Sequence, residues 1–277
     1  MINNILVVWE FGHHNSKLMK KSGALAQQAN ANVHIAAFMP ENELDNPKAK
    51  DELDEAISKN FEDNLIVNLH ICSPQNLVND ILNLHTEKHI DLVIKCKGED
   101  GQLFKASDDL RLIQELTCPL LVSSNHKLKP NQPILATIDI DESGEEQTKM
   151  NAEVLAWSSY LAEKTQKDVD VVYNIPMSKA VLELDVFDSE EVLLKEESSA
   201  KKKLSETVQK HGVIPNQLHI LAGDIGKNIK GMTGKIKPDL LIVGSVGRKG
   251  LKGLFIGNTA EVILKKARSD VLVVKPK

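Results

Sequence analysis

The feature that most restricts the fold of this chain is an internal copy of a strand pattern. Residues 90–94 read Ile-Asp-Leu-Val-Ile and residues 238–242 read Pro-Asp-Leu-Leu-Ile, so that Asp91 and Asp239 lie 148 residues apart. A second match, Pro-Leu-Leu-Val at 119–122 against Asp-Val-Leu-Val at 270–273, is displaced by 151 residues. Solenoid repeats recur about every 20–50 residues, so a period this long indicates two duplicated domains.

Within each copy, short apolar runs alternate with longer stretches of helical periodicity. This rhythm predicts parallel βαβ units and an open sheet covered by helices on both faces, which is an α/β fold. The predicted strands of the two halves are Ile5–Trp9, Val33–Phe38, Leu65–Cys72, Ile90–Ile94 and Leu120–Ser123, then Ile134–Ile138, Val169–Tyr173, Leu218–Leu221, Asp239–Val243 and Asp270–Val273.

A polar stretch with a proline, Ser124 to Gln132, separates the halves and is typical of a domain linker. We therefore assign residues 1–125 to the first domain, 126–132 to the linker and 133–277 to the second domain.

Composition excludes several classes of function. The chain has 277 residues, a formal net charge of −5 and 4% aromatic residues, which argues against a nucleic-acid-binding protein. Apolar runs fall short of the roughly 18 residues that span a bilayer, and the N-terminus does not resemble a signal peptide. Its cysteines, Cys72, Cys96 and Cys118, are far apart and fit reduced thiols, so we expect a cytoplasmic protein.

A glycine-rich stretch follows the predicted strand Asp239–Val243. Its glycines alternate with basic residues, and the stretch contains Gly244, Gly247, Gly250, Gly253 and Gly257 with Arg248, Lys249 and Lys252. A glycine-rich turn between a buried strand and a helix start favours an anion, because bare backbone N–H groups and the helix dipole converge there. A flexible basic loop is the alternative interpretation.

The spacing Gly-x2-Gly-x9-Gly, formed by Gly244, Gly247 and Gly257, resembles the nucleotide loop of the universal stress protein family. That loop usually continues with Ser or Thr, whereas Asn258 stands here and Thr259 comes one place late. The string Gly-Asn-Thr-Ala-Glu at 257–261 is similar to the tandem, E-type members of the family. The resemblance covers nearly the whole chain.

The resemblance implies a particular architecture. Each domain would be a five-stranded parallel sheet of order 3-2-1-4-5 with helices on both faces. A ligand would lie at the carboxyl ends of strands 1 and 4, where the strand order reverses. Domains of this family pair through their fifth strands, so we expect the two domains to pair within the chain, with a homodimer as a further possibility.

The resemblance also implies an adenine nucleotide, ATP or AMP with Mg²⁺, in the C-terminal domain only. Asp139 would face the adenine or ribose, and its alternative role is that of a turn or helix-capping aspartate. Asn174, after strand 2, and Val243, at the end of strand 4, would flank the base. The phosphates would be held by Gly244, Gly247, Gly257, Asn258 and Thr259. Arg248 or Lys249 could add positive charge, or could simply be solvated.

The N-terminal half lacks this loop. Residues 95–107 read Lys-Cys-Lys-Gly-Glu-Asp-Gly-Gln-Leu-Phe-Lys-Ala-Ser, with Ala106 in the place of Gly257. Glu99 and Asp100 bring negative charge to the place where phosphates would lie. We place Glu10 one residue past the position that matches Asp139. We interpret this half as structural, or as a site for an uncharged ligand.

Other polar groups give no catalytic or metal site. His13, His14, His70 and Cys72 are interpreted as ordinary loop and core residues, since a metal needs three or four convergent ligands. No nucleophile–base arrangement stands out. We expect a non-catalytic, small-molecule-binding protein that acts in stress resistance. The alternatives are an interaction protein with degenerate pockets, or a weak ATP hydrolase on the same fold.

Overall fold

The computed structural model divides the chain into two compact units, Met1–Leu128 and Lys129–Lys277. The residues that it describes are 2–13, 15–97, 108–124, 129, 131–141, 144–177, 189–245, 264 and 269–276. None of the helices within these ranges combines the length and the apolar character needed to cross a bilayer.

The first unit is an α/β domain. Its described elements are β1 Asn4–Glu10, α1 Ser16–Ala29, β2 Asn32–Phe38, α2 Pro47–Asn60, β3 Val67–Cys72, α3 Leu77–Glu87, β4 Leu92–Cys96, α4 Asp108–Glu115 and β5 Leu120–Ser123. The strand order is β3-β2-β1-β4-β5, and these neighbours pair in parallel. The central strand is covered on both faces, because Ile5, Leu6, Val7 and Val8 are fully buried.

The second unit repeats this plan. Its described elements are β6 Ile134–Thr137, α5 Glu145–Thr165, β7 Val169–Ile175, α6 Ser189–Lys210, β8 Gln217–Ala222, α7 Ile225–Ile236, β9 Leu240–Gly244 and β10 Asp270–Val274. The order is β8-β7-β6-β9-β10, again with parallel neighbours. The predicted α/β fold class and the strand order 3-2-1-4-5 are thus confirmed in both units.

The strand register shows which residues of the two units are equivalent. Ile94 and Ile242 occupy the same place in the repeated sequence. Ile94 pairs with Val7, and Ile242 pairs with Ala136. Val7 and Ala136 are therefore equivalent, and every later residue of the first strands can be matched by counting from them.

The repeated aspartate has the same structural role in both units. Asp91 Oδ2 accepts a hydrogen bond from the backbone N–H of Asn3 at 2.7 Å. Asp239 Oδ1 accepts one from the backbone N–H of Lys129 at 3.1 Å, and Asp239 Oδ2 is paired with Lys167 Nζ. Each aspartate thus fixes the segment that enters the first strand of its sheet against the start of the fourth.

The units differ in how a helix covers the third strand. Helix α2 packs against α1, and a Cβ on Gly23 of α1 would overlap the carbonyl oxygen of Asn60 at the end of α2. Helix α6 instead packs against β8. Ile71 of β3 is therefore 53% exposed, whereas Ile220 at the equivalent place in β8 is 7% exposed.

Several predicted strand boundaries differ from the structure by one or two residues, as in β4, which begins at Leu92 and not at Ile90. Helix α5 begins at Glu145, and Glu145 and Glu146 in its first turn interact favourably with the helix dipole. Strand β7 continues past Tyr173, because Asn174 and Ile175 still pair with β8.

Candidate functional site

The candidate site lies at the carboxyl ends of β6 and β9, the adjacent strands at which the order of the second sheet reverses. Asp139 follows β6 by two residues and is half-buried. Its backbone is fixed by the side chain of Asn151, whose Oδ1 accepts from Asp139 N at 3.2 Å and whose Nδ2 donates to Asp139 O at 2.6 Å. Asp139 Oδ1 accepts from the backbone N–H of Asp141 at 3.0 Å, so its carboxylate also stabilises a turn.

A second carboxylate lies at the same edge of the sheet. The pKa of Tyr173 is raised by burial first and then by its interaction with Asp141 and by the charges of Asp139 and Glu196. Because three carboxylates contribute to the raised pKa of Tyr173, the electrostatic potential at this edge of the sheet is negative. The sequence pattern did not identify Tyr173 or Asp141, because neither belongs to a recognisable spacing.

Asn174 lies within β7, and the prediction that it follows the strand is wrong. Its Nδ2 donates to the carbonyl oxygen of Gly223 at 3.0 Å, and its Oδ1 accepts from Asn228 Nδ2 at 2.7 Å. The side-chain amide thus ties β7 to the turn between β8 and α7, and its donor and acceptor are both engaged inside the protein.

Val243 and Gly244 end β9. Val243 is 1% exposed and contributes an apolar strand end. A Cβ on Gly244 would overlap the side chain of Met150 on α5, so packing by itself favours glycine there. Ser245 then donates its N–H to Val274 O at 2.9 Å and extends the pairing by one residue.

The remaining predicted site residues lie outside the described part of the chain. They are Gly247, Gly257, Asn258 and Thr259, together with Arg248 and Lys249 of the same stretch. Residues 98–107 of the first unit lie outside it as well.

The equivalent edge of the first unit holds an ion pair. Glu10 lies three residues beyond Val7 and Asp139 three beyond Ala136, so Glu10 matches Asp139, and our placement of it one residue late is wrong. Lys95 in β4 is the residue that matches Val243, and its Nζ lies 2.8 Å from Glu10 Oε1. The two side chains are 11% and 18% exposed for Lys95 and Glu10, so the pair is largely removed from water.

A buried asparagine fixes the turn after the first strand in both units. Asn15 Nδ2 donates to Glu10 O at 2.7 Å, just as Asn151 Nδ2 donates to Asp139 O. Asn15 and Asn151 are at different distances from their strands in sequence, which is why the periodicity did not match them.

A polar pair joins the second and third strands of each unit at equivalent places. His34 Nδ1 and His70 Nε2 are 3.1 Å apart in the first unit, and His219 Nε2 lies 3.1 Å from Asp170 Oδ2 in the second. Burial lowers the pKa of His34 and that of His70, and Lys88 lowers both further.

Cys72 has no sign of an activated thiol, since burial and Asp80 raise its pKa to about 11. Within the described ranges, no three His, Cys, Asp or Glu side chains cluster in a way that could hold a metal ion.

The fold and the geometry of this edge define a class, a tandem α/β protein with two doubly wound sheets and one cleft position per sheet. The chain belongs to the universal stress protein family, since the model of that family matches residues 131–275. The predicted family resemblance is confirmed.

Curated relatives carry the E-type name. The chain is 25% identical over 204 residues to the universal stress protein E homolog of Haemophilus influenzae, covering 71% of this chain and 66% of the relative. It is 24% identical over 195 residues to universal stress protein E of Escherichia coli K12, covering 67% of this chain and 61% of the relative. The chain thus spans slightly less than two thirds of these relatives.

Solved structures agree on the fold. A universal stress protein from Pseudomonas aeruginosa UCBPP-PA14 is 24% identical and superposes with a TM-score of 0.77, over 99% of this chain and 94% of that one. A universal stress protein from Archaeoglobus fulgidus DSM 4304 is 13% identical with a TM-score of 0.62, over 99% and 96% of the two chains.

Proposed function

We propose that this protein is a cytoplasmic, non-catalytic ligand-binding protein of stress resistance, with one adenine nucleotide site in the C-terminal unit. The ligand is ATP or AMP with Mg²⁺. Family membership and the E-type names of the curated relatives support the class of function.

The observation that carries the proposal is the difference between two equivalent strand ends. In the C-terminal unit the fourth strand ends in buried, apolar Val243 beside the Asp139 turn. In the N-terminal unit Lys95 stands in the place of Val243 and is paired with Glu10. A strand end without a charged side chain, beside a carboxylate, suits a nucleoside, since no fixed charge competes for the carboxylate and ribose hydroxyls can donate to it. An internal ion pair at that place leaves neither feature available.

The negative electrostatic potential beside Asp139 indicates how the ligand is oriented in the proposed site. Asp139 and Asp141 repel phosphates, so the ribose is proposed to lie beside Asp139 and the phosphates beside the glycine stretch. Gly244, Gly247, Gly257, Asn258 and Thr259 are proposed to bind the phosphates through backbone N–H groups and side-chain donors. We propose that Asn174 lies near the base without a hydrogen bond to it, because its side-chain amide is already bonded to Asn228 and Gly223.

Isothermal titration of the full-length chain with ATP and Mg²⁺ tests the proposal. We expect saturable binding that Gly247→Val weakens by about tenfold or more, since a branched side chain keeps the phosphate from the main-chain donors. Gly253→Val is the matched control, because Gly253 lies in the same stretch but outside the Gly-x2-Gly-x9-Gly spacing. Absence of binding by the wild-type protein, or equal loss in both variants, would overturn the proposal.

The second candidate is an interaction protein with degenerate pockets. The packing of Gly244 against Met150 favours it, because that contact explains the glycine without a ligand. Native mass spectrometry of the purified protein separates the candidates. A co-purified nucleotide supports the first, and a chain that remains ligand-free after incubation with ATP and Mg²⁺ supports the second.

A further inference from the structure

A cavity of about 370 Å³ opens between β8 and α7 of the C-terminal unit. Strand β8 contributes His219 and Leu221 to its walls. Helix α7 contributes Gly231, Met232, Lys235 and Ile236. None of the predicted nucleotide-site residues lines it. Its volume lies at the lower end of the range for small-molecule pockets, about 300–1,000 Å³.

One wall of the cavity holds an oriented histidine. Asp170 is 3% exposed, and its Oδ2 lies 3.1 Å from His219 Nε2 while its Oδ1 accepts from Asn216 Nδ2 at 3.0 Å. An ionised carboxylate only accepts hydrogen bonds, so the proton of neutral His219 is on Nε2. Nδ1 makes no hydrogen bond within the part of the chain that the structure describes, and the His219 side chain is 20% exposed. Nδ1 is therefore the ring nitrogen available to a ligand.

The opposite wall is a helix that carries a glycine without a packing reason. A Cβ on Gly231 would meet no heavy atom within 4 Å, so nothing nearby requires its absence. Glycine inside a helix costs about 0.5–1 kcal/mol relative to alanine. In the first unit the same place of helix α3, found by the 148-residue spacing, holds Asn83. The glycine thus widens the cavity in the second unit.

Helix α7 contributes a cationic side chain, Lys235, to the cavity wall. Helix α7 carries Lys227, Lys230 and Lys235 and no acidic residue between Ile225 and Ile236. Lys235 lies four residues after Gly231 and therefore on the same side of the helix. Leu221, Met232 and Ile236 add an apolar surface next to this cation.

We propose that this cavity binds a small organic carboxylate with a compact apolar body. The carboxylate lies between the Lys235 ammonium and Nδ1 of His219, which donates when the ring is in its imidazolium form. The apolar body contacts Leu221, Met232 and Ile236. This site is independent of the proposed nucleotide site and could be present without it.

The test uses the full-length protein, with benzoate and isobutyrate as probes in ligand-observed NMR and benzyl alcohol as the uncharged control. Gly231→Leu fills the cavity, and we expect it to weaken carboxylate binding by about tenfold or more. Gly234→Leu is the matched control, since Gly234 is on the same helix and also has open space around it but does not line the cavity. Both changes replace a helix-interior glycine and should leave the unfolding temperature equal or higher.

His219→Gln and Lys235→Gln should each weaken binding, since each removes a cationic or hydrogen-bonding partner of the carboxylate. The proposal is overturned if neither carboxylate binds saturably. It is overturned equally if benzyl alcohol binds as tightly as benzoate, or if Gly231→Leu and Gly234→Leu behave alike.

Discussion

The carboxyl ends of the two sheets have the same backbone plan but different chemistry. In the N-terminal unit Glu10 and Lys95 neutralise each other at 2.8 Å. In the C-terminal unit the equivalent residues are Asp139 and Val243, so a carboxylate stands beside an apolar strand end. A duplicated domain can thus keep its strand order and register while one copy places an internal ion pair at its strand ends.

The edge strands β3 and β8 also differ between the two units. Helix α6 covers β8 in the C-terminal unit, whereas α2 of the N-terminal unit lies on α1 and leaves Ile71 exposed. The N-terminal unit therefore joins its strand ends with an ion pair and exposes its edge strand, whereas in the C-terminal unit Val243 stands in the place of Lys95 and the edge strand is covered. The following changes test these contrasts.

The largest effect is expected for Lys95→Val, which copies Val243 into the N-terminal unit. It leaves Glu10 without its close partner, and an unpaired, mostly buried carboxylate destabilises a fold by about 3 kcal/mol. Urea denaturation measures the loss. Replacing both partners, Glu10→Leu with Lys95→Met, should cost less than Lys95→Val alone, and a larger loss in the double variant would contradict an electrostatic origin.

Gly23→Ala tests why α2 lies on α1. The added Cβ overlaps the backbone oxygen of Asn60, so the two helices must separate, and we expect a loss of about 2 kcal/mol. Hydrogen exchange of α2 should rise in the variant. Unchanged exchange and stability would show that the close approach does not set the position of α2.

Gly244→Ala should destabilise the C-terminal unit by about 1 kcal/mol, because Met150 has to move but its flexible side chain can adapt. Gly234→Ala is the control, and it should stabilise by about 0.5–1 kcal/mol since its surroundings are open. Thermal unfolding of both variants measures the two changes in stability. Equal shifts would show that Gly244 has no packing role.

The smallest effect concerns pH. The lowered pKa values of His34 and His70 mean that the unfolded chain binds protons more readily, so stability is complete above the ordinary His pKa of about 6.5 and is lost as pH falls through it. The opening of β3, measured as the loss of amide protection after correction for the intrinsic exchange rate, should therefore increase on acidification. His34→Asp copies Asp170 of the other unit and should reduce this increase, whereas an equal or larger increase would contradict the assignment.

The fold followed from the sequence because the apolar runs of a fully buried parallel strand are distinctive, and because the repeated Asp91 and Asp239 segments set the period. Residue positions at the ends of strands are harder to predict from the sequence. Glu10 was placed one residue late, since no sequence match aligns the first strands and only the ladder through Val7 and Ala136 does so.

Polar residues inside the sheets were misjudged for a related reason. Asn174 reads as a strand end, but its amide is satisfied by Asn228 and Gly223, so the strand continues through it. The equivalence of His34 with Asp170 is invisible to periodicity, because the two side chains share a place in the sheet and not a residue type.

The central claim is that the C-terminal unit keeps a nucleotide cleft that the N-terminal unit has closed. The most direct measurement is the number of nucleotides bound per full-length chain, obtained by titration with ATP and Mg²⁺ for the wild-type protein and for Val243→Lys, which copies Lys95. The account predicts one nucleotide for the wild-type chain and none for the variant. Two nucleotides per chain, none in the wild type, or undiminished binding by Val243→Lys would contradict it.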